Sequence, residues 1–194
     1  GIKEEEIAIL FRVHTDARAV VEAMVERKIP FQMKEHLPNI YEHFIAKDIM
    51  AYFRLATGKR RRQDFLQVMN RPKRYLGRDS VSGSQVSFED MRKFYCDKDW
   101  MIDRIDQWDV KMLMKMAPYA AIQYIRKRIG YDDFLKEYAF THQINRSDLN
   151  EVLAEIEEAA KAFSSVEEWF AHVEEYTETL KVKEKERNRP RPGV

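Results

Sequence analysis

From residue 41 onward the chain repeats apolar residues at helical spacing and rarely interrupts the pattern. Residues 41–56 carry Ile45, Ile49, Tyr52, Phe53 and Ala56 on one side, and Gly58 stops the run. Met101, Ile105, Trp108, Met112 and Met116 form a second stripe, the spacing of core packing rather than of a cofactor site. Pro118 opens a further helix with Ala121, Ile122, Ile125 and Ile129, which Gly130 ends. Ser147 is the predicted cap of the next, with Leu149, Val152, Leu153, Ile156 and Phe163. Ser87-Phe88-Glu89-Asp90 and Ser165-Val166-Glu167-Glu168 read as capping boxes, the second leading into Trp169, Phe170, Val173 and Tyr176. Six Gly and six Pro in 194 residues leave little material for tight turns. The fold class this predicts is mainly α.

The N-terminal residues follow another pattern. Ile7-Ala8-Ile9-Leu10-Phe11 is a continuous apolar run, short enough to read as a strand buried on both faces. Thr15 or Asp16 can cap a helix running to Arg27, with Ala19, Val20, Ala23 and Met24 on its buried side, and Phe31-Gln32-Met33 begins a second strand. Two strands are too few for a stable sheet, so this strand–helix–strand appendage reads as part of a larger α/β domain. The predicted division is an appendage at 1–37, a helical body at 38–180 and an extended segment at 181–194. That last segment is rich in charge and poor in apolar residues.

Charge is distributed unevenly. Residues 59–78 hold eight cations and one anion, Asp64. Lys59, Arg60, Arg61 and Arg62 precede a short apolar helix with Phe65, Leu66, Val68 and Met69. Arg71, Lys73, Arg74 and Arg78 surround the turn at Gly77. Cations on both flanks of a short helix suit a nucleic-acid backbone, and a glycine turn lets main-chain N–H groups approach phosphates. A solvated charge run beside a core helix is the alternative. Residues 148–178 hold ten anions against Lys161 alone, a surface that repels phosphate and could dock a protein partner. Within it Glu155, Glu157 and Glu158 read as a solvated helix face, not an acid/base pair.

Cys96 is the only cysteine, which excludes a disulfide framework or cysteine zinc cluster and suits a reducing, cytoplasmic setting. No apolar run reaches membrane-spanning length. His14, His36, His43, His142 and His172 show no metal-ligand spacing, and there is no GxxxxGK[ST] or GxGxxG phosphate loop. The chain is therefore expected to hold no catalytic residue, metal or cofactor, and to be inactive toward ATP by itself.

Six segments, in order, resemble the UvrD/PcrA/Rep group of superfamily 1 DNA helicases. Leu10 to Arg18 is similar to that group's LxRTNAQSR, with Arg12 and Arg18 matching and His14 at the usual asparagine. Lys47-Asp48-Ile49-Met50-Ala51-Tyr52-Phe53-Arg54-Leu55 resembles KDxLAYLRL, and Asn70-Arg71-Pro72-Lys73-Arg74-Tyr75-Leu76-Gly77 resembles NTPRRGIG. Gly130-Tyr131 with Phe134-Leu135 is similar to the SGY segment. The helix from Leu149 and Val166-Glu167-Glu168-Trp169-Phe170 resemble the last two helices of the 2B subdomain.

The resemblance implies a fragment of an ATP-dependent 3′-to-5′ helicase: part of the RecA-like 2A domain, the inserted 2B subdomain, and a segment returning toward 2A. ATP and Mg would bind outside this chain. It further implies that 2B rotates to regulate unwinding and contacts duplex or fork DNA through its glycine turn. That fits the charge of the basic segment, and Arg60, Arg61, Arg62, Arg71, Lys73, Arg74, Gly77 and Arg78 are the duplex contacts expected. Arg12 and His14 would lie near the single strand. Tyr75 stands at the family's first turn glycine, a backbone position that tyrosine tolerates poorly, which predicts a distorted turn. A helical protein-docking module of the same helicase, with little DNA contact of its own, is the other expectation.

Overall fold

A computed structural model describes residues 3, 6–12, 14–108 and 110–188, with the backbone alone at 14 and 15. Nine α-helices are present among them: α1 (His14–Glu26), α2 (Phe44–Ala56), α3 (Arg62–Val68), α4 (Phe88–Phe94), α5 (Asp99–Asp106), α6 (Pro118–Lys127), α7 (Tyr131–His142), α8 (Arg146–Ala160) and α9 (Val166–Arg187). Short 3₁₀ turns at Ile40–Glu42, Arg78–Val81 and Lys111–Lys115 join some of them. The fold is mainly α, as the apolar spacing predicts.

The expected strands are not formed. Residues 7–11 and 31–33 carry no ladder, and the one β-bridge among the described residues joins Arg61 to Gln85. The helix between them is present. A strand needs neighbouring backbone for its N–H and C=O groups, and among the described residues these two segments pair with none. Leu10 and Ile7 are among the most exposed apolar residues, whereas Phe31 is half-buried beside Lys183.

The chain divides into two compact units. One comprises 1–39 with 171–194, the other 40–170. In the first, Val21 and Val25 of α1 are buried, and Asn39 donates to Thr177 Oγ1 of α9 at 3.0 Å.

The second unit is built around α2. Ile45, Ala46, Ile49, Met50, Ala51, Tyr52, Phe53 and Leu55 of this helix are all buried, so apolar residues cover most of its circumference and other helices must surround it. Fully burying one such side chain contributes about 1.5–3 kcal/mol, which makes α2 the main apolar anchor of the unit. His43 caps it, Nδ1 accepting the Ile45 N–H at 3.3 Å. Trp108 fills the space beside α2, with Tyr52, Phe65 and Phe88 edge-on to it.

The stripe from Met101 to Met116 is broken. α5 ends at Asp106, and Trp108 and Val110 are buried from a loop. The following 3₁₀ turn buries Leu113 while Met112 is exposed. A turn of three residues rotates the buried face away from the position α-helical spacing assigns. The C-terminus of α9 departs too, since residues 181–187, expected to be extended, continue that helix to Arg187; Lys, Glu and Arg are good helix formers even without apolar neighbours. The helix N-termini follow the sequence more closely. Ser87 and Asp90 form a reciprocal capping box, Ser165 and Glu168 do the same, and Pro118 is the first residue of α6. α8 is capped by Asn145 rather than Ser147, Asn145 Oδ1 accepting the Ser147 N–H at 3.0 Å.

Candidate nucleic-acid interface

The basic segment wraps α3 and the turn that follows it. Asn70 organises that turn. Its Oδ1 accepts the N–H groups of Arg74 (3.2 Å) and Leu76 (3.0 Å), and its Nδ2 donates to the Leu76 carbonyl (2.9 Å). Three bonds from one side chain fix residues 71–76 as a loop. Tyr75 sits at its apex with φ of 59°, the left-handed region, and 61% exposed. The distorted turn predicted from tyrosine at a glycine position is thus accommodated at Tyr75 itself. Gly77 has an ordinary φ of −78°.

The eight cations of this segment fall into distinct environments. Lys59, Arg60, Lys73 and Arg78 are exposed. Arg61 is exposed but pairs with Asp64, Nε to Oδ2 at 3.0 Å, and Asp64 is itself buried and also held by Arg54 Nε at 2.8 Å. Arg62 Nε donates to the Val81 carbonyl at 2.5 Å. Arg71 Nη1 donates to both oxygens of Asp48.

Arg74 is 7% exposed. Its Nη1 donates to the carbonyls of Val68 (3.2 Å) and Met69 (3.1 Å), and its guanidinium lies 4.9 Å from the centre of the Trp108 ring. Those carbonyls end α3, where the helix leaves acceptors without partners and a cation is favoured. Arg74 therefore serves the fold and cannot reach a phosphate without leaving the core. Gly77 is engaged as well, its N–H donating to the Tyr95 hydroxyl at 2.7 Å. Sequence alone groups these two with the exposed cations. Residue type carries no signal separating them: Arg74 turns back onto the end of α3 and onto Trp108, and Gly77 meets Tyr95, 18 residues further on.

Asp48 was missed as a structural centre, although it stands in the segment resembling KDxLAYLRL. It is fully buried and accepts from Arg71 (2.6 and 2.7 Å), Gln67 Nε2 (3.0 Å) and the Tyr131 hydroxyl (2.8 Å). One carboxylate thus ties α2 to α3, to the loop and to α7. Burial disfavours the Arg71 charge, but the Asp48 hydrogen bond and charge outweigh this and hold its pKa above the usual value. Burial and the Asp48 charge push the Tyr131 hydroxyl well above the ordinary tyrosine range. Burial also raises Tyr52 to about 12; its hydroxyl donates to the Arg71 carbonyl.

Two more cations, which sequence alone does not single out, face this surface. Arg104 of α5 donates to the Arg74 carbonyl at 3.1 Å, and Arg128 lines a cleft together with Lys73, Arg74 and Arg104.

The remaining site residues lie in the other unit or are internally engaged. Arg12 is exposed; the side chain of His14, first residue of α1, lies outside the described residues. Glu157 is buried and accepts from Arg126 Nη1 and Gln123 Nε2, both at 2.7 Å, so it does not belong to a solvated face as expected. Glu158 is exposed and paired with Lys161 at 2.6 Å. Among the described residues no cluster of His, Cys, Asp or Glu could hold a metal ion, and no helix is long and apolar enough to cross a membrane.

Comparison with known proteins adds what geometry alone does not. The chain is 21% identical over 189 residues to YjcD of Bacillus subtilis, an alignment covering 90% of this chain and 24% of that protein. It is 23% identical over 185 residues to a probable DNA helicase II homolog of Rickettsia felis, covering 86% of this chain and 27% of the relative. Over 77 residues it is 34% identical to the ATP-dependent DNA helicase PcrA of Leuconostoc citreum, covering 40% of this chain and 10% of that one. The chain thus spans about a quarter of the length of the curated relatives that match most of it. No solved structure matches it significantly. The model of the UvrD-like helicase C-terminal domain matches residues 1–192, and the chain belongs to that family.

Proposed function

We propose that this chain is the part of an ATP-dependent 3′-to-5′ DNA helicase that holds duplex DNA beside the fork. In this reading residues 1–37 belong to 2A, residues 38–180 form 2B, and residues 181–194 lead back toward 2A. ATP and Mg bind to other parts of the enzyme, and rotation of 2B regulates unwinding. The observation that carries the DNA contact is the placement of Lys59, Arg60, Lys73 and Arg78, exposed around one short helix and its turn. Such cations neutralise phosphates and fix the register of a duplex without reading its bases. Arg61 and Arg62 can add to the field from their paired positions, while Arg71 and Arg74 shape the loop that presents Lys73. Arg12, with His14, is assigned to the single strand on the 2A side.

The test is duplex binding as a function of salt. If about three or four of the exposed cations reach phosphates, log affinity falls against log salt with a slope of roughly −3 to −4. Replacing Lys59, Arg60, Lys73 and Arg78 together by Ala removes most of that slope, equally for every DNA sequence. Unchanged binding by the quadruple variant would overturn the assignment. The docking-module reading would then lead, since Asp148, Glu151 and Glu167 are exposed on α8 and α9.

A further inference from the structure

Two large aromatic side chains stand out beside the basic loop. Tyr75 is 61% exposed and Trp100, on α5, is 53% exposed. The Arg104 guanidinium lies near both rings, 5.1 Å from the centre of Tyr75 and 4.9 Å from that of Trp100. The ammonium of Lys73 lies 5.1 Å from the Tyr75 ring.

The frame beneath this group is fixed. Arg104 is anchored to the Arg74 carbonyl, Arg74 is buried against Trp108, and Met101 and Ile105 bury the inner face of α5. The left-handed backbone at Tyr75 costs about 1–2 kcal/mol for an L residue, which glycine would avoid. Exposing two rings wastes apolar burial besides. The contacts of Lys73 and Arg104 with these rings return only about 0.5–1 kcal/mol each at an exposed site, which does not account for both features. The adjoining cleft is lined by Lys73, Arg74, Arg104 and Arg128 and by no carboxylate. Exposed π-faces beside a cleft of one sign of charge suit a ligand that is flat at one end and anionic at the other.

We propose that Tyr75 and Trp100 form a stacking platform for an unpaired nucleotide, whose phosphate is met by Lys73, Arg104 and Arg128. The platform rests on the reading of this surface as a DNA interface. It adds a second kind of contact, to single-stranded bases adjoining the duplex, insensitive to base identity because every base has a π-face.

The experiment compares a blunt duplex with the same duplex carrying a short thymidine tail, using the 194-residue chain. Trp108 and Trp169 are buried, so quenching of tryptophan fluorescence by the tail reports on Trp100. The tail is expected to tighten binding and quench fluorescence. Tyr75→Gly and Trp100→Ala should each lose about 5- to 150-fold of the tail's gain, the range for one stacked base. Blunt-duplex binding should change little, and circular dichroism should match the parent. Glycine suits the backbone at position 75, so that variant separates loss of the ring from loss of the fold. A tail that adds no affinity, or variants that bind it as tightly as the parent, would overturn the platform while leaving the duplex assignment standing. Failure of the parent to bind the blunt duplex would overturn both.

Discussion

Arg71 Nη1 lies 2.6 and 2.7 Å from the two oxygens of Asp48, a carboxylate with no exposure to solvent. The pair joins the central helix of the larger unit to the loop that carries the exposed Lys73. Position of the loop and burial of the charge therefore depend on each other.

Arg71→Ala is expected to leave that carboxylate with Gln67 and Tyr131 as its remaining donors. Breaking a fully buried pair costs roughly 3–5 kcal/mol. The Arg71 side chain is partly exposed and water can take its place, so a loss of about 2–3 kcal/mol is expected. Urea denaturation of the parent and the variant measures it. Arg71→Lys should recover part of the loss, since it restores charge but not the geometry of the guanidinium.

Neighbours Lys73 and Arg74 should separate cleanly in experiment. Lys73→Ala removes an exposed cation and should weaken duplex binding with stability changed by less than about 0.5 kcal/mol. Arg74→Ala removes the donor to the Val68 and Met69 carbonyls and the contact with Trp108, and should cost about 2–4 kcal/mol. Paired denaturation and binding measurements on the two single variants check this. Equal stability of both variants would show that the buried placement of Arg74 contributes nothing.

The contrast between these two residues marks what could be read from the sequence. Most helix positions, the capping boxes at Ser87 and Ser165, and the strained turn at Tyr75 are local matters, settled by spacing and backbone preference. Family order was legible for a similar reason, since motifs keep their sequence. Partner choice was not. Asp48 meets Tyr131 across 83 residues, and Glu157 meets Arg126 across 31. Nothing in a run of cations says which will turn inward to a distant carboxylate or a helix end. The strands expected at 7–11 and 31–33 failed in the opposite way, because their pattern needs neighbours that do not pair with them here.

Glu157 supplies a check on the acidic helices. It accepts from Arg126 and Gln123, and Arg126 also donates to Asp132, so α6, α7 and α8 meet at one guanidinium. Burial opposes the Arg126 charge, and the two carboxylates more than offset this, raising its pKa. Glu157→Ala is expected to destabilise the chain by about 1–2 kcal/mol, since it leaves the half-buried donors of Arg126 and Gln123 without their acceptor. Thermal melting of Glu157→Ala beside Glu158→Ala tests it; the exposed Glu158 should shift the midpoint little.

His43 gives the chain a pH dependence whose sign can be worked out. Burial lowers its pKa, as does Lys47, while Asp48 acts in the opposite direction. Its Nδ1 must stay unprotonated to accept the Ile45 N–H that begins α2. The folded state therefore binds a proton less readily than the unfolded state, whose histidine titrates near the ordinary value of about 6.5. Between those two pKa values the unfolded chain carries more protons, so stability rises with pH. His43 leaves stability intact above about 6.5 and removes it progressively as pH falls through the window down to its lowered folded value. Asparagine also caps helices but does not titrate. His43→Asn should match the parent near neutrality and lose less stability between neutral and mildly acidic pH. Urea midpoints of both proteins across that range measure the difference, and parallel curves would show that His43 is not the group responsible.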